Sequence, residues 1–161
     1  MIDIRQSTPE DKDQVGEILL SIVRKGDSLA YPPTSSKQEL VDYWFASGKR
    51  TYTAVSEGKI VGTFFMQDNQ PGLGSHIVNA GYATLPNNYG KGVGRAMGLF
   101  SLDEARRLGY KAMQFNIVVK TNERAVRLWQ DIGFKIIGEI PDAFQHSTLG
   151  LVNAYIMYQK L

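Results

Sequence analysis

Tyr89-Gly90-Lys91-Gly92-Val93-Gly94-Arg95-Ala96 sets three alternate glycines between a strand-like segment, residues 77–84, and an amphipathic helical stretch. Residues without a Cβ leave backbone N–H groups accessible, and here those groups sit at the positive end of a helix. That combination holds phosphate oxygens. Glycines at a strand-to-helix turn also serve simply to let two elements pack closely, so the turn alone names no ligand. Two phosphate-binding patterns fail on it. Counted from Gly90, the last glycine of G-x-G-x-x-G falls on Arg95, and counted from Gly92 it falls on Met97. The Gly-Lys-Ser/Thr ending of a nucleoside-triphosphate loop is missing as well.

Outward from this turn the pattern predicts an alternation of strands and helices. Ile2 to Gln6 alternates apolar and polar residues as a half-buried strand does, and Thr8-Pro9-Glu10-Asp11 opens a helix with Val15, Ile18, Leu19 and Ile22 on one stripe. Tyr31-Pro32-Pro33 cannot continue that helix, and the 27–35 segment is read as loop. Ser36-Lys37-Gln38-Glu39 is a capping box opening a second helix, with Leu40, Val41, Trp44 and Phe45 inward and Gly48 as its stop. Strands at 51–56 and 59–67 flank a Glu57-Gly58 hairpin turn, and 68–74 is loop. Residues 76–84 form a strand, 93–108 a helix stopped by Gly109, 112–119 a strand, and 122–132 a helix stopped by Gly133. Strands at 134–140 and 152–158 follow, with 141–150 between them as loop. The order is β-α-α-β-β-β-α-β-α-β-β, which predicts a mixed α/β sheet with helices on both faces.

At 161 residues, 43% hydrophobic and 21% charged, the chain has the size of one domain with a substantial core. A net charge of +2 with dispersed Lys and Arg disfavours a nucleic-acid partner. No cysteine is present, so disulfides, thiolate metal sites and an acyl-cysteine intermediate are excluded. Met1 to Arg5 carries no apolar leader and no run approaches a membrane span, so a cytoplasmic protein without a membrane partner is expected.

In this element order, and in two motifs, the chain resembles the GNAT superfamily of acetyl-CoA-dependent N-acetyltransferases. Pro86-Asn87-Asn88-Tyr89-Gly90-Lys91-Gly92-Val93-Gly94 is similar to that family's pyrophosphate loop, and Asn122-x-x-Ala125-x-x-Leu128-Trp129 with Gly133-Phe134 to its second cofactor helix. The resemblance covers nearly the whole chain. It implies one N-acetyltransferase domain over residues 1–161, a sheet splayed between the 77–84 and 112–119 strands, and acetyl-CoA as cosubstrate without a metal. It assigns cofactor contacts to Thr84, Tyr89, Gly90, Lys91, Gly92, Val93, Gly94, Arg95, Asn116, Asn122 and Trp129. Dimers are a family expectation. Two positions depart from the pattern: Tyr89 stands where relatives carry Arg or Gln, and Trp129 where many carry the tyrosine that protonates the leaving thiolate.

The implied reaction is direct attack of a small-molecule amine on the thioester in a ternary complex, because no thiol is present for a covalent route. A thiol with pKa near ~8.5 leaves readily, so a missing acid forfeits no more than the roughly 10²–10⁴-fold that proton transfer supplies. A backbone N–H at the end of the 77–84 strand would stabilise the oxyanion. Asn79 and Asn116 interrupt apolar strands. The resemblance gives Asn79 the acceptor amine or the tetrahedral intermediate, and Asn116 the pantetheine arm. Both amides would equally satisfy backbone groups where the strands splay. Asn122 is a helix cap, a cofactor contact or both. No Asp or Glu lies in the 76–84 strand, so the proton route is expected through water to backbone carbonyls, Asn79 or Tyr82.

Tyr31 is a candidate substrate contact, with a rigidified surface loop as the alternative. His76 and His146 are expected as surface or structural residues, and Tyr155 and Tyr158 as strand packing rather than a substitute acid. The 68–74 and 141–150 loops are candidate rims of the acceptor site. A looser resemblance to members that acetylate small amino acids and their toxic analogues favours that acceptor class. Acetylation of a peptide amino terminus and a non-catalytic acyl-CoA sensor are the competing functions.

Overall fold

The computed structural model describes residues 1–161. Its strands are β1 (Ile2–Gln6), β2 (Arg50–Ser56), β3 (Lys59–Asp68), β4 (Ile77–Thr84), β5 (Ala112–Val119), β6 (Lys135–His146) and β7 (Gly150–Lys160). The helices are α1 (Lys12–Val23), α2 (Lys37–Trp44), α3 (Val93–Arg107) and α4 (Glu123–Asp131). The element order and the mixed α/β class are those the sequence predicts. All seven strands share one sheet in the order β1-β2-β3-β4-β5-β7-β6, with β4–β5 the parallel pair.

Alternation along the strands sends neighbouring side chains to opposite faces. Phe65 packs with Leu19, Ile22, Leu40 and Trp44 beneath α1 and α2, while Phe64 packs with Val93, Met97, Leu102 and Trp129 beneath α3 and α4. Gly98 lets α3 and α4 meet closely, since a Cβ there would lie 2.8 Å from Ile132 Cδ1. The local signals act as read. Ser36 and Glu39 close a reciprocal capping box, and Glu57 and Gly58 take φ of 51° and 74°, the primed turn that matches strand twist.

Two boundaries differ from the sequence reading. Helix α2 stops at Trp44 rather than near Gly48, because the Trp44 carbonyl accepts the Thr51 hydroxyl at 2.9 Å and the chain must turn to begin β2. Strand β6 runs to His146 instead of ending near 140, so most of the expected 141–150 loop is strand. A register shift between Ile140 and Phe144 absorbs Pro141, and Asp142, at φ 52°, donates its N–H to Asn153 Oδ1 at 3.0 Å. Because β6 is an edge strand, the N–H that proline lacks has a free side to fall on.

Thr8-Pro9 starts with a 3₁₀ turn before α1. Asp11, 6% exposed, there receives Arg5 at 2.7 and 2.9 Å and the Thr8 N–H at 2.8 Å. The Arg5 guanidinium, ahead of the opposing cost of burial, holds the Asp11 carboxyl below its usual range. A depressed folded pKa contributes stability that is full above the ordinary aspartate value of about 3.9 and disappears as pH falls through the folded value. Asp11→Asn is therefore expected to lower Tm by several degrees near neutrality, with the gap to the parent closing below about pH 4. Thermal melts of both proteins across pH check this, and a gap that persists undiminished in acid contradicts it.

Candidate active site

The site is built where the sheet forks. Strands β4 and β5 pair only at Ile77–Ala112 and Val78–Met113, then diverge as the sequence reading expects. Beyond that point β5 carries an extra residue against β7 between Phe115 and Val118. On β4 the Ile77 carbonyl and the Leu85 N–H just past the strand bond toward β3, while the His76 carbonyl accepts Lys111 N–H on the β5 side. By the two-residue period, Ala80 and Tyr82 aim their backbone groups into the opened fork.

A cavity of about 460 Å³ occupies that fork. Residues 80–84 of β4 form one wall, and Phe115 with residues 117–119 of β5 the other. Its floor near the glycine turn is made by Asn88 to Arg95 without Lys91, and by Asn122, Arg124 and Leu128. Gly90 and Gly92 take φ of 77° and 82°, and Gly92 caps α3 with no side-chain acceptor. The first bond of α3 runs from Ala96 N–H to the Gly92 carbonyl. The N–H groups of Gly90, Gly92, Val93, Gly94 and Arg95 consequently have no acceptor within the protein. A Cβ at Gly94 would lie 3.1 Å from Leu128 Cδ2, so glycine there keeps the α3 turn close to α4.

Tyr89, in place of the Arg or Gln of relatives, holds cations through its ring. The Arg124 guanidinium lies 3.7 Å from the ring centroid and the Lys25 ammonium 5.3 Å from it. Asn122 caps α4, accepting Ala125 N–H at 3.5 Å, and also lines the cavity. Trp129 stands 4.6 Å from the Tyr82 ring and 4.8 Å from Phe115, giving the cavity an aromatic wall.

Several expected residues lie elsewhere. The Tyr82 ring lines the cavity, but its hydroxyl meets Ser101 Oγ at 2.6 Å, and Ser101 in turn donates to the Gly98 carbonyl. Burial pushes the Tyr82 phenol well above its usual pKa. Its proton is thus committed to α3, so this hydroxyl has no donor left for the expected relay. Asn116 is exposed and outside the cavity wall, accepting from Gln114 Nε2 at 3.0 Å and donating to Asn69 Oδ1 at 2.8 Å. Asn79 donates from Nδ2 to the Gln114 carbonyl at 3.0 Å, bridging the fork just where the strand pairing ends. Its Oδ1 has no partner in the protein, and Asn79 is not among the residues that line the cavity. Tyr31 packs edge-on to Tyr43 at 4.8 Å instead of facing the cavity. The 68–74 segment contributes nothing to the lining, and neither do His76, Tyr155 or Tyr158.

The lining also takes residues the motifs do not mark: Ile22 of α1, Asp27, Ser28 and Leu29 in the loop that follows it, and His146 at the end of β6. These come together through tertiary contact. Ser147 N–H donates to the Gly26 carbonyl at 2.9 Å and Ser147 Oγ to the Lys25 carbonyl at 2.7 Å. No local sequence signal announces this pairing. Arg124 had one faint signal, a cation two residues after the Asn122 cap.

The acetyltransferase (GNAT) family matches residues 17–134, and the chain belongs to that family. It is 39% identical over 98 residues to N-acetyltransferase aca1 of Schizosaccharomyces pombe, a match covering 60% of this chain and 47% of that protein. The chain thus spans about half the length of that relative. A GCN5-related N-acetyltransferase from Kribbella flavida superposes with a TM-score of 0.93 at 35% identity, covering 99% of this chain and 98% of that one. A phosphinothricin acetyltransferase from Sinorhizobium meliloti in complex with acetyl-CoA shares the fold, with a TM-score of 0.87 at 18% identity, covering 99% and 88% of the two chains. Unpartnered N–H groups at the α3 turn, and a cavity that passes between two strands, fit the diphosphate and the narrow pantetheine arm of acetyl-CoA. No helix is long and apolar enough to cross a membrane.

Proposed function

We propose that this protein is an N-acetyltransferase that moves acetyl from acetyl-CoA to the amine of a small molecule, with an amino acid or its analogue favoured. The observation that carries the reading is the set of free N–H groups on Gly90, Gly92, Val93, Gly94 and Arg95 opening onto the forked cavity. When bound, acetyl-CoA supplies an acyl carbon activated as a thioester. The α3 turn holds phosphate oxygens through backbone donors and the helix dipole. Tyr82, Phe115 and Trp129 exclude water along the arm, and the Ala80 and Tyr82 backbone groups face the place where carbonyl charge develops. Trp129 carries no usable acid, and the thiol leaves without one.

Asn79 has two parts in this reading. Its Nδ2 holds the fork at Gln114, and its Oδ1 accepts a hydrogen bond from an N–H of the incoming amine. Asn79→Ala is expected to lower kcat by about tenfold or more, the scale of a lost positioning hydrogen bond, while the affinity for acetyl-CoA stays within about threefold, since the phosphate donors at the α3 turn are untouched. Steady-state thiol release and calorimetric titration read the two quantities. Unchanged turnover removes the role. Initial-rate patterns are expected to intersect, as a ternary complex requires, whereas parallel lines and an acetylated protein would refute direct transfer.

The choice between a small acceptor and a peptide amino terminus is open to direct test. A panel of amines, amino acids and short peptides decides between them. Saturable acetyl-CoA binding with no transfer to any of these would leave the sensor function standing.

A further inference from the structure

Of the residues lining the cavity, Asp27 carries the one carboxylate and His146 the one imidazole, and neither belongs to the phosphate turn. Asp27 is half-buried and has no hydrogen-bond or ion-pair partner in the protein. His146 is half-buried and its ring is fixed. Nδ1 accepts the Thr148 N–H at 3.1 Å and the Leu149 N–H at 3.3 Å, with Thr148 Oγ1 also 3.3 Å away. A nitrogen that accepts from two backbone donors carries no proton, so the proton of the neutral ring is on Nε2. With Nδ1 turned to the hairpin, Nε2–H is the ring's remaining donor for the cavity.

The two residues are held as one unit. Each is the sequence neighbour of a member of the bonded Gly26–Ser147 pair. Gly26, at φ 61°, permits that approach, since even a Cβ would sit only 3.1 Å from Ser147 Cβ. Arg24 donates to the Pro33 and Ser35 carbonyls and ties down the loop that follows Asp27. The rim therefore offers a carboxylate with no partner in the protein and a ring held by its Nδ1 with Nε2 left to the cavity.

We propose that Asp27 and His146 are the acceptor-recognition pair, Asp27 binding the amine and His146 Nε2–H binding a carboxylate oxygen of an α-amino acid. This rests on the acetyltransferase reading and narrows its substrate class. His146 is not the base, because the nitrogen that would take a proton is occupied by the turn. A hydrogen bond to a charged group sets the expected effect. His146→Ala and His146→Asn raise KM for the amino acid by about tenfold or more, with kcat and the KM for acetyl-CoA within about threefold. In His146→Asn the introduced amide oxygen can still accept from the turn, so this variant separates loss of the donor from loss of the hairpin.

The probes are matched pairs, L-alanine with ethylamine and L-proline with pyrrolidine. Support is a KM increase in the His146 variants for the amino acids and none for the amines, with Asp27→Asn raising KM for both members of each pair. An equal effect on both members, or no change in KM with amino acids that the parent protein acetylates, overturns the recognition pair and leaves the acetyltransferase reading intact. A parent protein that binds acetyl-CoA yet acetylates no amine overturns both.

Discussion

Gly92→Val is expected to weaken acetyl-CoA binding by roughly 10–100-fold and to leave the protein folded. Gly92 caps α3 at φ 82°, where an L side chain costs about 1–2 kcal/mol and a β-branched one more. Nothing lies within 4 Å of a Cβ at this exposed position, so the cost is backbone strain rather than collision. If the loop leaves the left-handed region to relieve it, the N–H groups of residues 92–95 turn away from a common centre. Hydrogen bonds to charged groups are worth about 1.5–3 kcal/mol each, and about 1.4 kcal/mol is tenfold in affinity. The free protein should lose only roughly 2–8 °C in Tm. Gly94→Ala, whose Cβ meets the end of the Leu128 side chain at 3.1 Å and Thr84 Oγ1 at 3.9 Å, should cost less affinity. Calorimetric titration orders the three proteins, and an unchanged Kd for Gly92→Val would show that the phosphates bind elsewhere.

Trp44→Ala should be the most destabilising single truncation in the core beneath α1 and α2. Trp44 is fully buried, stands 4.7 Å from Phe65 at 87°, and donates from Nε1 to Thr63 Oγ1 at 3.0 Å. Removing a buried Trp or Phe costs about 3–5 kcal/mol, which for a domain of this size corresponds to a fall of roughly 6–20 °C. Trp44→Phe keeps most of the volume but leaves Thr63 without its donor, and should fall between the two. Because this cluster is on the face opposite α3 and α4, the rise in Tm that acetyl-CoA produces should persist in both variants. Thermal melts with and without acetyl-CoA test both statements; a fall under about 3 °C for Trp44→Ala would mean that α2 does not anchor this face.

What the sequence made legible was local chemistry. The Ser36 box, the Glu57-Gly58 turn and the glycines after β4 each depend on backbone conformations that few residues adopt, so residue type reveals them directly. The length of β6 was hidden because Pro141 and Asp142 look like a break and an edge strand tolerates both. The end of α2 was hidden because a hydroxyl seven residues on captures the Trp44 carbonyl. At the site, the glycine turn was written in consecutive residues and the part of the lining around Asp27 and His146 was not. The segments that carry Asp27 and His146 are joined by bonds from Ser147 to the Gly26 and Lys25 carbonyls, across most of the chain. Asn116 misled because an amide in an apolar strand reads as buried, whereas an extra residue in β5 turns it out to solvent beside Asn69. Tyr82 misled in the opposite sense, as a polar group whose hydroxyl is already taken by Ser101.

The central claim is tested most directly by mass spectrometry of the products formed when the protein is incubated with acetyl-CoA and an amino-acid panel. The expected result is an acceptor carrying one new acetyl group on its nitrogen, matched mole for mole by free CoA thiol, with the protein itself unmodified. Thiol release without an acetylated acceptor, or no reaction while acetyl-CoA saturates the protein, would contradict it.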